Sequence, residues 1–178
     1  MTVPPEGATA GTSDVLDQQV IVATAAQMQL LGRRLASLLR AGDLVVLSGP
    51  LGAGKTTLAQ GIGSGLSVRG PVTSPTFVIA RVHPVLDGPG PALVHADAYR
   101  LGSPAEVDDL DLDETVASSV TVVEWGGGLA EGLAEDRLEV TITPAGQGRD
   151  VRVTGLGARW SALGDSAFLA LPAGLEGL

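Results

Sequence analysis

The apolar positions along this chain alternate between short continuous runs and stripes at helical spacing, the pattern of an α/β domain built on a largely buried sheet. Leu44-Val45-Val46-Leu47 is a strand of the kind covered on both faces, and Ala92-Leu93-Val94-His95 and Val120-Thr121-Val122-Val123 read the same way. The last two run into a carboxylate, at Asp97 and Glu124. Gln19 to Ala23 and Phe77 to Val82 predict two further strands. Leu138 to Thr143 and Val151 to Thr154, joined around Gly146-Gln147-Gly148, predict a hairpin. Leu30, Leu31, Leu35, Leu38 and Leu39 recur at helical spacing from Thr24-Ala25-Ala26-Gln27, which has capping-box spacing, up to Arg40, with Gly42 placed to stop the helix. Two more helices are expected, from about Lys55 to Leu66 and from Pro104 to Ser118. The stretch Pro84 to Pro91, with its prolines and glycines, reads as a surface turn.

Length and composition set the frame for these elements. The chain has 178 residues, 44% hydrophobic and 17% charged, enough for one domain with a real core. Residues 1–17 are rich in Gly, Pro, Thr and Ala without hydrophobic period and are expected to form a disordered tail. Residues 18–155 hold the domain, and 156–178 an extension with a short helix or tail. A formal charge of −9 argues against gripping a phosphate backbone across a broad face, so no DNA partner is expected. Zero cysteines exclude disulfides, thiol catalysis and thiolate metal sites. The first basic residue is Arg33, which leaves no positively charged leader, and no apolar run reaches the roughly 18–20 residues of a membrane span. A soluble, cytoplasmic domain without membrane contact is the expectation. The acids at Asp108, Asp109, Asp111, Asp113 and Glu114 read as a solvated face.

The informative oddity is the basic residues, of which all but one are Arg; the single lysine is Lys55. It lies in Gly49-Pro50-Leu51-Gly52-Ala53-Gly54-Lys55-Thr56, which satisfies G-x-x-x-x-G-K-[ST] and sits between a buried-strand pattern and a helix. Glycines let consecutive backbone N–H groups turn inward as a concave anion site, and the helix N-terminus adds its own unpaired N–H groups and dipole. Lys55 supplies a point charge for β- and γ-phosphates, and Thr56 a hydroxyl for Mg²⁺. Such a loop needs a carboxylate at the end of a neighbouring strand, and both Asp97 and Glu124 stand at the edge where open α/β sheets bind ligands. Three of the five aromatics, Phe77, Tyr99 and Trp125, fall in these segments. His95 fits a base or a phosphate ligand, and a satisfied core histidine at least as well. A guanine-reading Asn-Lys-x-Asp motif cannot exist, since the one lysine is already in the loop.

Four blocks, Gly49 to Thr57, Ser74-Pro75-Thr76-Phe77, His95-Ala96-Asp97-Ala98-Tyr99-Arg100-Leu101 and Val123-Glu124-Trp125, in this order and spacing, resemble the TsaE (YjeE) family, with similarity running from about residue 20 to 155. The resemblance implies a three-layer α/β P-loop fold with a mixed sheet, a parallel core and the C-terminal hairpin. It implies slow Mg²⁺-dependent ATP hydrolysis that resets the TsaB–TsaD pair, the machinery attaching threonylcarbamoyl to the adenosine beside the tRNA anticodon, with tRNA met only through that complex. Gly49, Leu51, Gly52, Ala53, Gly54, Lys55, Thr56 and Thr57 would cradle ATP, with Thr76 and Arg149 as further contacts. Thr56, Glu124 and Asp97 would serve Mg²⁺, and Lys55, Asp97 and Glu124 the chemistry. Ser74 to Phe77 would act as a switch-like loop, and Arg100 and Arg149 are the arginines open to a finger role. The chain departs from the family at Pro50, where an Asp is usual, and at Met28, where a Thr is usual. A nucleotide-gated interaction module and a small P-loop kinase are the alternative readings.

Overall fold

The computed structural model describes residues 16–75, 79–110 and 112–163. Seven strands form one sheet: β1 (Leu16–Val22), β2 (Leu44–Ser48), β3 (Ala80–His83), β4 (Ala92–Asp97), β5 (Ser119–Glu124), β6 (Arg137–Ala145) and β7 (Gly148–Leu156), in the spatial order β1-β7-β6-β2-β5-β4-β3. The four central strands β6, β2, β5 and β4 run parallel, while β1, β7 and β3 are antiparallel to their neighbours. This is a mixed α/β sheet with a parallel core and a C-terminal hairpin, as the apolar runs require.

The layers follow from alternation along the strands. Val45, Leu47, Leu93, Val120 and Val122 pack with α1 (Ala25–Ala36) and α2 (Lys55–Gly65) in the larger core. Leu44, Val46, Val94, Ala96 and Val123 face the other way, onto Leu112 and Val116 of the segment carrying α3 (Pro104–Asp108) and α4 (Asp113–Val116). The two helices of the larger layer approach closely because glycines face each other: a Cβ on Gly32 would stand 2.5 Å from the Leu58 carbonyl oxygen. The entry to α1 is locked from both sides. Thr24 Oγ1 accepts from the Gln27 amide at 3.2 Å, and Gln27 Oε1 accepts from the Ala23 amide at 2.7 Å.

Several expected boundaries move. Strand β1 starts at Leu16, inside the stretch assigned to a tail, because Leu16 pairs with Gly155 and is fully buried. Helix α1 ends at Ala36, not Arg40; Leu38 and Leu39 continue the winding through i→i−3 bonds, so their helical spacing is kept in a tightened turn. The single helix expected over Pro104–Ser118 is two short ones, consistent with the poor helix propensity of the intervening Asp residues. Asp108 and Asp109 are exposed, as a solvated face requires; Asp111 and the side chains of Asp113 and Glu114 lie outside what the structure describes. Strand β3 begins at Ala80; the first two positions of the predicted strand, Phe77 and Val78, lie outside the described residues, as do Thr76, residues 1–15 and 164–178. Past residue 155 the expected short helix is α5 (Ala158–Ser161), and it belongs to the domain: Trp160 is fully buried in the larger core. Among the described residues no helix is long and apolar enough to cross a membrane.

Candidate nucleotide site

The loop between β2 and α2 is shaped by backbone that only glycine adopts freely. Gly49, Gly52 and Gly54 have φ of +147°, +75° and +111°. A Cβ on Gly49 would strike the Ile142 carbonyl oxygen of β6, so this glycine is demanded by close approach as well as by φ. Gly54 is the left-handed N-cap of α2 and offers no side chain to its first amides, so no side-chain cap hydrogen bond closes this end of the helix. The loop is held from outside by Arg149 of β7, whose Nε donates to Ala53 O at 3.1 Å and whose Nη2 donates to Gly52 O at 3.3 Å. Those bonds turn carbonyls toward the hairpin. Arg149 therefore braces the loop.

Lys55 opens α2 and is only 4% exposed. Its Nζ donates to Gly49 O at 2.7 Å and Pro50 O at 2.9 Å, and lies 3.7 Å from the centroid of the Trp125 ring. Burial pushes its pKa below the ordinary lysine value, opposed by the negative charge of Glu124 and Asp97.

Parallel pairing of β4 with β5 sets Asp97 directly beside Glu124. Both project to the face that carries α2. Glu124 is 2% exposed: its Oε2 accepts from Thr56 Oγ1 at 3.0 Å, and its Oε1 lies 2.7 Å from His95 Nε2. Asp97 is spoken for differently, accepting from Ser74 Oγ at 3.1 Å and from the Tyr99 amide at 2.9 Å. The two strand-end acids are thus divided. Glu124 meets the phosphate loop, and Asp97 meets the segment that begins at Ser74. Tyr99 packs on Trp125 at 5.0 Å between ring centroids.

Lys55, Thr56, Ser74, Asp97, Arg100, Glu124 and Trp125 line one cleft of about 520 Å³, so the structure brings the separate sequence blocks together. Leu51, which is 90% exposed, stands at its mouth. A second cavity of about 210 Å³ lies on the other side of the loop, between Ala23, Met28, Thr57, Gln147 and Arg149. Sequence reasoning did not reveal this second hollow, nor the bond from His95 to Glu124. The register of two parallel strands is the signal for the latter, and no single-strand pattern carries it.

A family model described as "Threonylcarbamoyl adenosine biosynthesis protein TsaE" matches residues 22–151, which holds the loop, both strand-end acids and Arg149. The chain belongs to the TsaE family. Its similarity to the Streptomyces coelicolor tRNA threonylcarbamoyladenosine biosynthesis protein TsaE is 63% identity over 149 residues, covering 80% of this chain and 99% of the relative. The Bacillus subtilis protein of the same name is 39% identical over 130 residues, covering 72% of this chain and 79% of its own. The crystal structure of B. subtilis YdiB superposes with a TM-score of 0.68 at 29% identity, covering 84% of this chain and 92% of that one. The fold of this TsaE family member is that of its P-loop neighbour.

Proposed function

We propose that this TsaE family protein binds ATP with Mg²⁺ and hydrolyses it slowly, in support of threonylcarbamoyladenosine formation on tRNA. The observation that carries the reading is the run from the phosphate loop into the sheet: Thr56 to Glu124 at 3.0 Å, beside a lysine held at the loop mouth. The donors here are all hard oxygens, which suits Mg²⁺. Among the described residues no group of three His, Asp or Glu forms a ready-made metal site.

Mg²⁺, when bound, supplies charge neutralisation at the β- and γ-phosphates. The chain's own residues do the rest. Loop amides and the start of α2 receive the phosphates, and Lys55 exchanges two loop carbonyls for phosphate oxygens. Thr56 and Glu124 hold the metal, with Asp97 orienting either its water shell or the attacking water. The smaller cavity beside Met28 and Gln147 receives the base, on the opposite side of the loop from the acids. Arg149 is committed to loop carbonyls, which leaves Arg100 as the arginine lining the reaction cleft. A positioned arginine is worth roughly 10³–10⁵ in rate, so slow turnover is what the isolated chain gives where Arg100 does not take that role.

The partners in this reading are proteins of the TsaB and TsaD type, with tRNA held by them, and the acidic balance of the chain fits that division. The test is phosphate release from Mg-ATP with and without the TsaB–TsaD pair. Turnover should be slow alone, change on adding the pair, and vanish in Lys55→Ala. Unchanged release by that variant refutes the site. The Ser74–Asp97 bond favours a second emphasis, in which nucleotide binding is read out through Ser74 and hydrolysis only resets it. A non-hydrolysable ATP analogue supporting one round of partner stimulation would decide for that emphasis.

A further inference from the structure

We propose that His95 is a positioning residue, which fixes the carboxylate of Glu124 so that its free oxygen stays on Thr56; this rests on the Mg-ATP reading above. His95 is fully buried on β4, and Glu124 is all but fully buried on the neighbouring β5. An ionised carboxylate only accepts hydrogen bonds, so the 2.7 Å contact is a donation from His95 Nε2–H to Oε1. The opposite oxygen, Oε2, is then the one presented to Thr56.

The other imidazole nitrogen supplies the second argument. His95 Nδ1 is buried with no hydrogen-bond partner among the described residues. With the hydrogen on Nε2, Nδ1 is a bare lone pair and no N–H is orphaned, so the geometry selects one tautomer. A residue present only to fill space on this face of β4 would carry no polar atom there, since burying one without a partner has a cost that a leucine avoids. The imidazole is accounted for by what Nε2 does. A histidine behind a carboxylate mirrors the usual outer-shell arrangement at metal sites, where the partner of a ligand sets its orientation.

The test compares His95→Gln, His95→Asn and His95→Leu in the full chain. Gln places an amide N–H near the position of Nε2, Asn falls one methylene short, and Leu fills the space with no donor. Mn²⁺ binding in the presence of ADP is followed by electron paramagnetic resonance, and ADP affinity in EDTA by calorimetry. Gln should match wild type, whereas Asn and Leu should weaken Mn²⁺ binding about 10–100-fold and leave metal-free ADP affinity unaltered. A Leu variant as good as wild type with Gln impaired, or all variants alike, overturns the proposal, as does a parallel loss of metal-free affinity. If Leu does not fold by circular dichroism, Gln against Asn decides alone. A wild-type chain that takes up no Mn²⁺ with ADP overturns the Mg-ATP reading and this proposal together. A wild type that does, with unaffected variants, removes only the role of His95.

Discussion

The ammonium of Lys55 sits 3.7 Å over the ring of Trp125, a residue whose own backbone is left-handed at φ +59°. Such a φ in a bulky residue costs on the order of 1–2 kcal/mol and persists only where surrounding contacts fix it. The Trp125 ring lies between the cation and the Tyr99 ring. In the Mg-ATP reading, nucleotide draws Lys55 off the loop carbonyls and changes what the indole faces. Trp125 emission should therefore shift on adding ATP. The chain's other tryptophan, Trp160, is fully buried in the core and should be silent. The shift should survive Trp160→Phe and disappear in Trp125→Phe; the reverse pattern would uncouple this contact from nucleotide binding.

Arg149 makes a sharper prediction because its bonds go to the loop and not into the reaction cleft. Replacing it with methionine keeps the aliphatic stem but frees the Gly52 and Ala53 carbonyls, which a charged donor now restrains. Hydrogen bonds to charged groups contribute about 1.5–3 kcal/mol each when buried, and less where water competes. Arg149→Met should weaken ADP binding roughly tenfold while the turnover rate at saturating ATP stays near wild type. A large fall in that rate with affinity retained would instead make Arg149 a catalytic finger. Calorimetry and steady-state phosphate release separate the two outcomes.

How much of this was legible beforehand depends on whether the signal was local. The loop from Gly49 to Thr56 could be read directly, because its glycines are dictated by φ and by the approach to β6, and the strand-to-helix context is written in adjacent residues. The parallel core was legible too, since Val45, Val46, Val122 and Val123 are apolar on both faces. The division of labour between Asp97 and Glu124 was not. Both end apolar runs, and only the register of β4 on β5, together with the reach of Thr56 from α2, shows which acid meets the loop. The bounds of the domain depend on contacts of the same remote kind. Leu16 and Trp160 pack against Gly155 from remote or later sequence, a contact that no local pattern carries. The break between α3 and α4 carries no local signal, because acidic residues satisfy a helical pattern while favouring turns.

The contact that ties α5 to the domain should be a major support of stability. Arg159 donates through Nε and Nη2 to the two oxygens of Asp43, each at 2.6 Å, and through Nη2 to the Leu38 carbonyl oxygen at 2.6 Å. The Asp43 side chain is 3% exposed, and that of Arg159 12%. Removing one partner of such a pair leaves an uncompensated buried charge, which costs about 3–5 kcal/mol. Arg159→Met should lose about that much by urea denaturation. The double variant Arg159→Met with Asp43→Asn should recover part of it, because the stranded charge is gone. Losses that simply add would show that the two residues act independently.

The last prediction concerns acid. His83 closes the outer strand β3, is buried, and has an Nε2 with no hydrogen-bond partner among the described residues. Burial holds its pKa below the ordinary value of 6.5, opposed by a hydrogen bond to the Arg69 backbone and reinforced by the positive charge of Arg81. The fold thus favours neutral His83, whereas the unfolded chain takes up a proton near the ordinary value. Between the two pKa values the unfolded state binds more protons, so stability rises with pH across that window. It is fully present above the unfolded value of 6.5 and is lost as pH falls below it toward the folded value. Melting temperatures measured from pH 7.5 down to 5.5 should fall for wild type, and more gently for His83→Leu, which has nothing there to protonate. The gap between the two curves should widen steadily with acid. Parallel curves would mean that His83 reaches water when protonated, and that the edge held by β3 opens at little cost.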